Sequence, residues 1–185
     1  TGEFYKDTIM NYPLGGAFNS RINLNLREDK GYTYGARSYF FGNNIRGGYR
    51  AGAGVRANST VDSIRQFVKE ISAYQKDGIS DDELAFTKNS LGQRDARAYE
   101  TPRQKLRYLS TIATYHLKPD YVDEQAKILK NITKDEINAL AAQHLDLNQM
   151  ITIVVGDKAK WMDEIKKELD YPIVELDADA KPISK

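Results

Sequence analysis

Apolar side chains in the first 29 residues fall at helical intervals: Tyr5, Ile9 and Tyr12, then Phe18, Ile22, Leu24 and Leu26. This spacing predicts helices over 5–14 and 17–29, interrupted by the PLGG of residues 13–16. From Thr33 to Phe41 and from Gly47 to Ala57 the period shortens toward two. The FGNNIRGG between them has the glycine and asparagine content of a hairpin turn, so an antiparallel pair is expected. Val61, Ile64, Val68, Ile71 and Tyr74 then return at offsets of three and four, predicting a helix over 61–75 that lays its stripe on the sheet and ends at Gly78.

The second half is punctuated by caps. SDDE at 80–83 is a capping box, in which the Ser80 oxygen accepts from the Glu83 amide and Glu83 reaches back, and it opens a helix toward Ala98. Pro102 suits the first turn of another helix, with Leu106, Leu109, Ile112 and Ala113 facing inward. TKDE at 133–136 repeats the cap before Ile137, Leu140, Ala141 and His144. MITIVVGD at 150–157 reads as a strand covered on at least one face, followed by a short helix around 159–169 and a weak strand at PIVELD. Strands early, helices in the middle and a late strand predict a single α+β domain, with helices packed on one face of a mainly antiparallel sheet. Three or four strands make a thin sheet. A strand missing from the start of the chain, or another domain, is expected to complete it.

Composition narrows the partners. The 185 residues carry 27 Lys and Arg against 26 Asp and Glu, a net charge of +1, so no overall field recommends nucleic acid or an anionic membrane. The basic residues between 88 and 107 (Lys88, Arg94, Arg97, Arg103, Lys105, Arg107) are interleaved with Asp95 and Glu100 and read as a solvated helix face. No apolar run approaches the roughly 20 residues of a membrane helix. A soluble protein of the bacterial periplasm or cytoplasm is expected, leaning to the periplasm. The opening TGEFYKDTIM starts inside an amphipathic pattern and looks like a cut end.

Little of the chain offers chemistry. There is no cysteine, and the two histidines, His116 and His144, stand 28 residues apart, so a three-ligand metal site is not expected here. GAGVRA at 52–57 has the skeleton of a dinucleotide fingerprint, but its glycines lie inside a strand pattern, where a bulge or close backbone packing explains them better. What remains is LREDKGYTY at 26–34, with Arg27 and Tyr34 seven residues apart across a helix-to-strand turn. One reading makes the pair catalytic. The other leaves Arg27 as a cation favoured at a helix C-terminus and Tyr34 as an ordinary strand residue.

The longer stretch LGGAFNSRINLNLREDKGYTYGARSYF resembles the C-terminal domain of the M16 metallopeptidases, the pitrilysin, insulinase and mitochondrial-processing-peptidase group. Leu14-Gly15-Gly16, Ser20-Arg21, Arg27-Glu28, Gly31 and Tyr34 stand in the order of that family's recurring motif. The resemblance implies a two-layer half of the M16 metallopeptidase and LuxS-like type, possibly lacking N-terminal strands, in a fragment of a longer two-domain chain. It also implies a partner half that bears zinc on an H-x-x-E-H helix, a motif absent here. Arg27 and Tyr34 match the family's pair that reaches a peptide bound on the other half. This chain alone is then inactive, and self-association of the isolated domain is expected. The alternative is a catalytically inactive M16-like subunit, acting as a peptide-binding or scaffold module.

Overall fold

The computed structural model describes residues 2–183. Helix α1 (Gly2–Asn11) runs on into a wide π-helical turn, Tyr12–Gly16, and α2 (Arg21–Asn23) continues in the same way through Leu24–Asp29. Strands β1 (Thr33–Gly42) and β2 (Gly47–Val55) form an antiparallel hairpin. Helices α3 (Thr60–Asp77), α4 (Asp81–Ala96), α5 (Pro102–Tyr115), α6 (Tyr121–Asn131), α7 (Lys134–His144) and α8 (Met162–Glu168) follow. Along β1, Ala36 and Ser38 are buried beneath the helices, while Arg37, Tyr39 and Phe41 face away. The result is the expected two-layer α+β arrangement, with helices on one face of an antiparallel sheet.

Ile9, Met10 and Leu14 from the first helical unit and Ile22 and Leu26 from the second meet Ile71, Tyr74, Leu91, Ile137 and Leu145 in one core. Each such aliphatic side chain contributes about 1.5–3 kcal/mol by leaving water. A smaller cluster of Val61, Trp161, Met162 and Ile165 seats α8 against α3. Both predicted capping boxes form, Ser80 with Glu83 and Thr133 with Glu136, and Thr101 with Gln104 makes a third ahead of Pro102. Each satisfies helix N–H groups that have no partner within the helix. Gly78 ends α3 with φ of 74°, a left-handed angle that favours glycine.

Four expectations need correction. The sheet has two strands among the described residues, not three or four. Residues 151–155 form no ladder: Met150 and Val154 reach the cores, but Ile151, Ile153 and Val155 stand in solvent. A β-rich segment becomes a strand only with a neighbour to accept its amides, and none of the described strands pairs with it. PIVELD likewise contributes only an isolated bridge, Leu176 to Pro182. Second, α5 buries none of its residues, and Leu106 and Leu109 are exposed because no described element lies over that stripe. Third, the helix expected over 17–29 begins only at Arg21, after a turn. Fourth, α6 was not foreseen, although Val122, Ala126 and Leu129 carry helical spacing.

Candidate functional site

The LGG turn touches the sheet so closely that its glycines are structural. A Cβ on Gly15 would lie 2.0 Å from Ser38 Oγ and 2.7 Å from the Ser38 amide nitrogen, so only glycine lets this turn press on β1. Asn11, at the end of α1, donates to the Ser38 carbonyl at 2.8 Å and accepts from the Ser38 hydroxyl at 2.5 Å, stitching the same crossing. Leu14 is fully buried in the core. Gly16 sits tightly over Asn11, with a built Cβ 3.3 Å from the Asn11 amide.

Ser20 and Arg21 are also structural. Ser20 precedes α2 and is buried, with its hydroxyl making no cap bond. Arg21 Nε and Nη2 each donate at 2.6 Å to Glu83, Nη2 also donates at 2.9 Å to the Gly78 carbonyl, and the guanidinium lies 4.8 Å from the Tyr74 ring centroid. This fork joins α2 to the junction of α3 and α4. The Glu83 bond raises the Arg21 pKa against the opposing effect of burial. Burial pushes the Glu83 carboxyl up, but hydrogen bonds from Arg21 and the Ser80 amide outweigh it and hold the group below its ordinary range.

Arg27 occupies the π-helical continuation of α2. Its guanidinium lies 4.5 Å from the Phe18 ring centroid, the distance of a cation–π contact. Nη1 is buried and ion-paired with Glu28 Oε1 at 2.9 Å, outside hydrogen-bonding angles. The chain then turns: the Lys30 amide donates to the Asn25 carbonyl, Gly31 takes φ of 61°, and the Tyr32 amide donates to the Leu26 carbonyl. Gly31 meets nothing within 4 Å of a built Cβ, so its requirement is the left-handed angle alone.

Tyr34 lies where β1 is irregular. Thr33 pairs with Val55 and Ala36 with Ala53, so Tyr34 and Gly35 together oppose Gly54 in a β-bulge. Without it, Tyr34 would share the buried face of Ala36 and Ser38. Instead its side chain is fully exposed, at 101% relative accessibility, and its hydroxyl has no partner among the described residues. No contact joins Tyr34 to Arg27; they share a corner at the start of β1 without touching.

Phe18, Asn23 and Thr33 belong to this corner and were not singled out from the sequence. Asn23 is buried, donates to the Phe18 carbonyl at 2.7 Å and accepts from the Ala36 amide at 2.9 Å. An asparagine inside the apolar INLNL is the available signal, since a buried amide must find partners. The glycines of GAGVRA flank the bulge, but a Cβ on Gly52 or Gly54 would meet open space, so close packing does not explain them.

Neither histidine joins the corner. His144 Nδ1 lies 2.7 Å from Asp7 Oδ1, and His116 ends α5 at φ of 52°. Burial raises the Asp7 pKa although His144 pulls it down. Among the described residues no three His, Cys, Asp or Glu side chains gather to hold a metal, so zinc does not fit this chain's own donors. No described helix is long and apolar enough to cross a membrane.

Residues 2–91 match the family model described as the peptidase M16 inactive domain. The chain is 25% identical over 139 residues to the uncharacterised zinc protease YmxG of Bacillus subtilis, covering 75% of this chain and 34% of that protein. It is 22% identical over 146 residues to the uncharacterised zinc protease SCO5738 of Streptomyces coelicolor, covering 79% and 32%. The fold is shared with the crystal structure of a peptidase M16 inactive domain from Pseudomonas fluorescens, at a TM-score of 0.71 and 23% identity, over 78% of this chain and 34% of that one. The chain thus spans about a third of the length of these relatives.

Proposed function

We propose that this chain, whose residues 2–91 match the peptidase M16 inactive domain, is the zinc-free half of an M16-type endopeptidase. It closes over short unstructured peptides held on a zinc-bearing H-x-x-E-H half, in the same full-length chain or a separate subunit. The zinc of that half supplies the activated water, and the residues here act on the peptide.

The observation that carries this reading is the bulge at Tyr34, which turns an unpartnered phenol to solvent. Negative charge develops on the scissile carbonyl oxygen as it is attacked, and a donor already in place stabilises that charge without reorganising. The Tyr34 hydroxyl is such a donor. Arg27, with its plane held against Phe18, offers a fork to a peptide carbonyl in ground and transition states alike.

The test uses the two-domain enzyme, or this chain reconstituted with its zinc half. Tyr34→Phe is expected to lower kcat on the order of 10²-fold, about 3 kcal/mol, with KM little changed. Arg27→Ala is expected to raise KM as well as lower kcat, because part of its binding is uniform. Near-wild-type kcat/KM in both variants would reject the catalytic reading and leave a peptide-binding or scaffold module.

A further inference from the structure

Tyr34 reaches solvent only because β1 carries one extra residue, and the side chain that ties this irregularity down is the threonine before it. The Thr33 hydroxyl accepts from the Gly35 amide at 3.1 Å, and its single hydrogen is offered to the Gly54 carbonyl at 2.8 Å and the Gly35 carbonyl at 3.0 Å. It therefore binds both sides of the bulge: Gly35 within it and Gly54 opposite. The far end is held by Asn23, whose Oδ1 accepts from the Ala36 amide. A bulge leaves ladder groups unpaired, and these two side chains satisfy them.

We propose that Thr33 is a positioning residue for Tyr34, its hydroxyl locking the bulge that aims the phenol at the peptide. Restoring ladder regularity would return residue 34 to the parity of Ala36 and Ser38, the buried face. The bulge thus decides between a tyrosine presented to substrate and one turned toward the core. Thr33 touches no substrate in this scheme; it acts through the direction of its neighbour. The inference rests on the role proposed for Tyr34, and its test keeps the two apart.

Thr33→Val removes the hydroxyl while keeping the branched shape, and Thr33→Ser keeps the hydroxyl. In the two-domain enzyme Thr33→Val is expected to lower kcat by about 10-fold or more with KM unchanged, since misplacing a catalytic group by ~1 Å costs up to about 10²-fold. Thr33→Ser is expected to restore kcat. In a Tyr34→Phe background Thr33→Val should cost nothing further, whereas a purely structural threonine would cost the same in both backgrounds. Wild-type kcat for Thr33→Val in an enzyme that Tyr34→Phe impairs, or equal losses in both backgrounds, would overturn the inference and leave the role of Tyr34 standing. A silent Tyr34→Phe would instead remove that role, and with it the catalytic purpose of the bulge. The geometry is read separately by NMR on the 185-residue chain. Thr33→Val should speed exchange of the Gly35 amide and change the contacts of the Tyr34 ring, and an unchanged amide and ring would refute the lock.

Discussion

Gly15→Ala is the sharpest test of how the helical layer meets the sheet. The new methyl carbon would lie 2.0 Å from Ser38 Oγ, 2.8 Å from Ser38 Cβ and 2.7 Å from the Ser38 amide nitrogen. Ser38 cannot rotate away cheaply, because its hydroxyl and carbonyl are both bonded to buried Asn11. Nor can the turn simply lift, because Leu14 beside it is fully buried. Overpacking of this kind costs about 1–3 kcal/mol, and breaking a buried hydrogen bond adds about 1–3 kcal/mol, so a loss of about 3 kcal/mol is expected. At roughly 2–4 °C per kcal/mol for a domain of this size, Tm should fall by about 6–12 °C. Urea denaturation of the 185-residue chain reads the loss directly. Adding Ser38→Ala removes the hydroxyl clash but leaves the backbone one, so it should recover only part of the loss. Gly16→Ala, whose methyl would sit 3.3 Å from Asn11, should cost much less. A Gly15→Ala chain within about 0.5 kcal/mol of wild type would refute the close approach.

Four further outcomes are expected elsewhere in the molecule. Arg21→Met leaves Glu83 half-buried without its cation and should cost about 2 kcal/mol by chemical denaturation, more than an exposed ion pair is worth. Because the folded-state pKa of Glu83 is depressed, its contribution is present above the ordinary glutamate range and lost as pH falls through the folded value; Glu83→Gln should therefore show a shallower acid-side fall in stability, while the raised Asp7 acts with the opposite sign in both proteins. Tyr34→Phe, at a fully exposed hydroxyl without a partner, should leave Tm unchanged, and metal analysis after dialysis should find no stoichiometric zinc, since the described residues gather no ligand set.

The hairpin, the caps and the first core helices could be read from the chain because each depends on near neighbours: alternation in β1, Ser80 with Glu83, Thr133 with Glu136. The failures lie where long-range contact decides. The apolar run at 150–155 has strand composition but no ladder partner, and α5 has an amphipathic pattern with no neighbour over Leu106 and Leu109. At the site, the structure makes Gly15 and Arg21 packing devices, joining the turn to β1 and α2 to the junction of α3 and α4. The glycines of GAGVRA pointed to a bulge, but its place at Tyr34 and Gly35 could not be read, because one extra residue in a strand depends on the register of the opposite strand. Phe18 and Thr33 escaped for the same reason: their partners, Arg27 and Gly54, are fixed only by the folded corner.

Residues 151–155 read Ile, Thr, Ile, Val, Val, with no charge and no proline, and all but Val154 are exposed in the native state. Short uncharged stretches of high β-propensity stack readily on copies of themselves. The flanking acids, Asp146 and Asp157, are the nearest gatekeepers on either side. The segment needs no unfolding to be reached, and a net charge of +1 gives copies of the chain little mutual repulsion. Light scattering of the 185-residue chain is expected to show association rising with concentration, and Ile153→Lys is expected to reduce it.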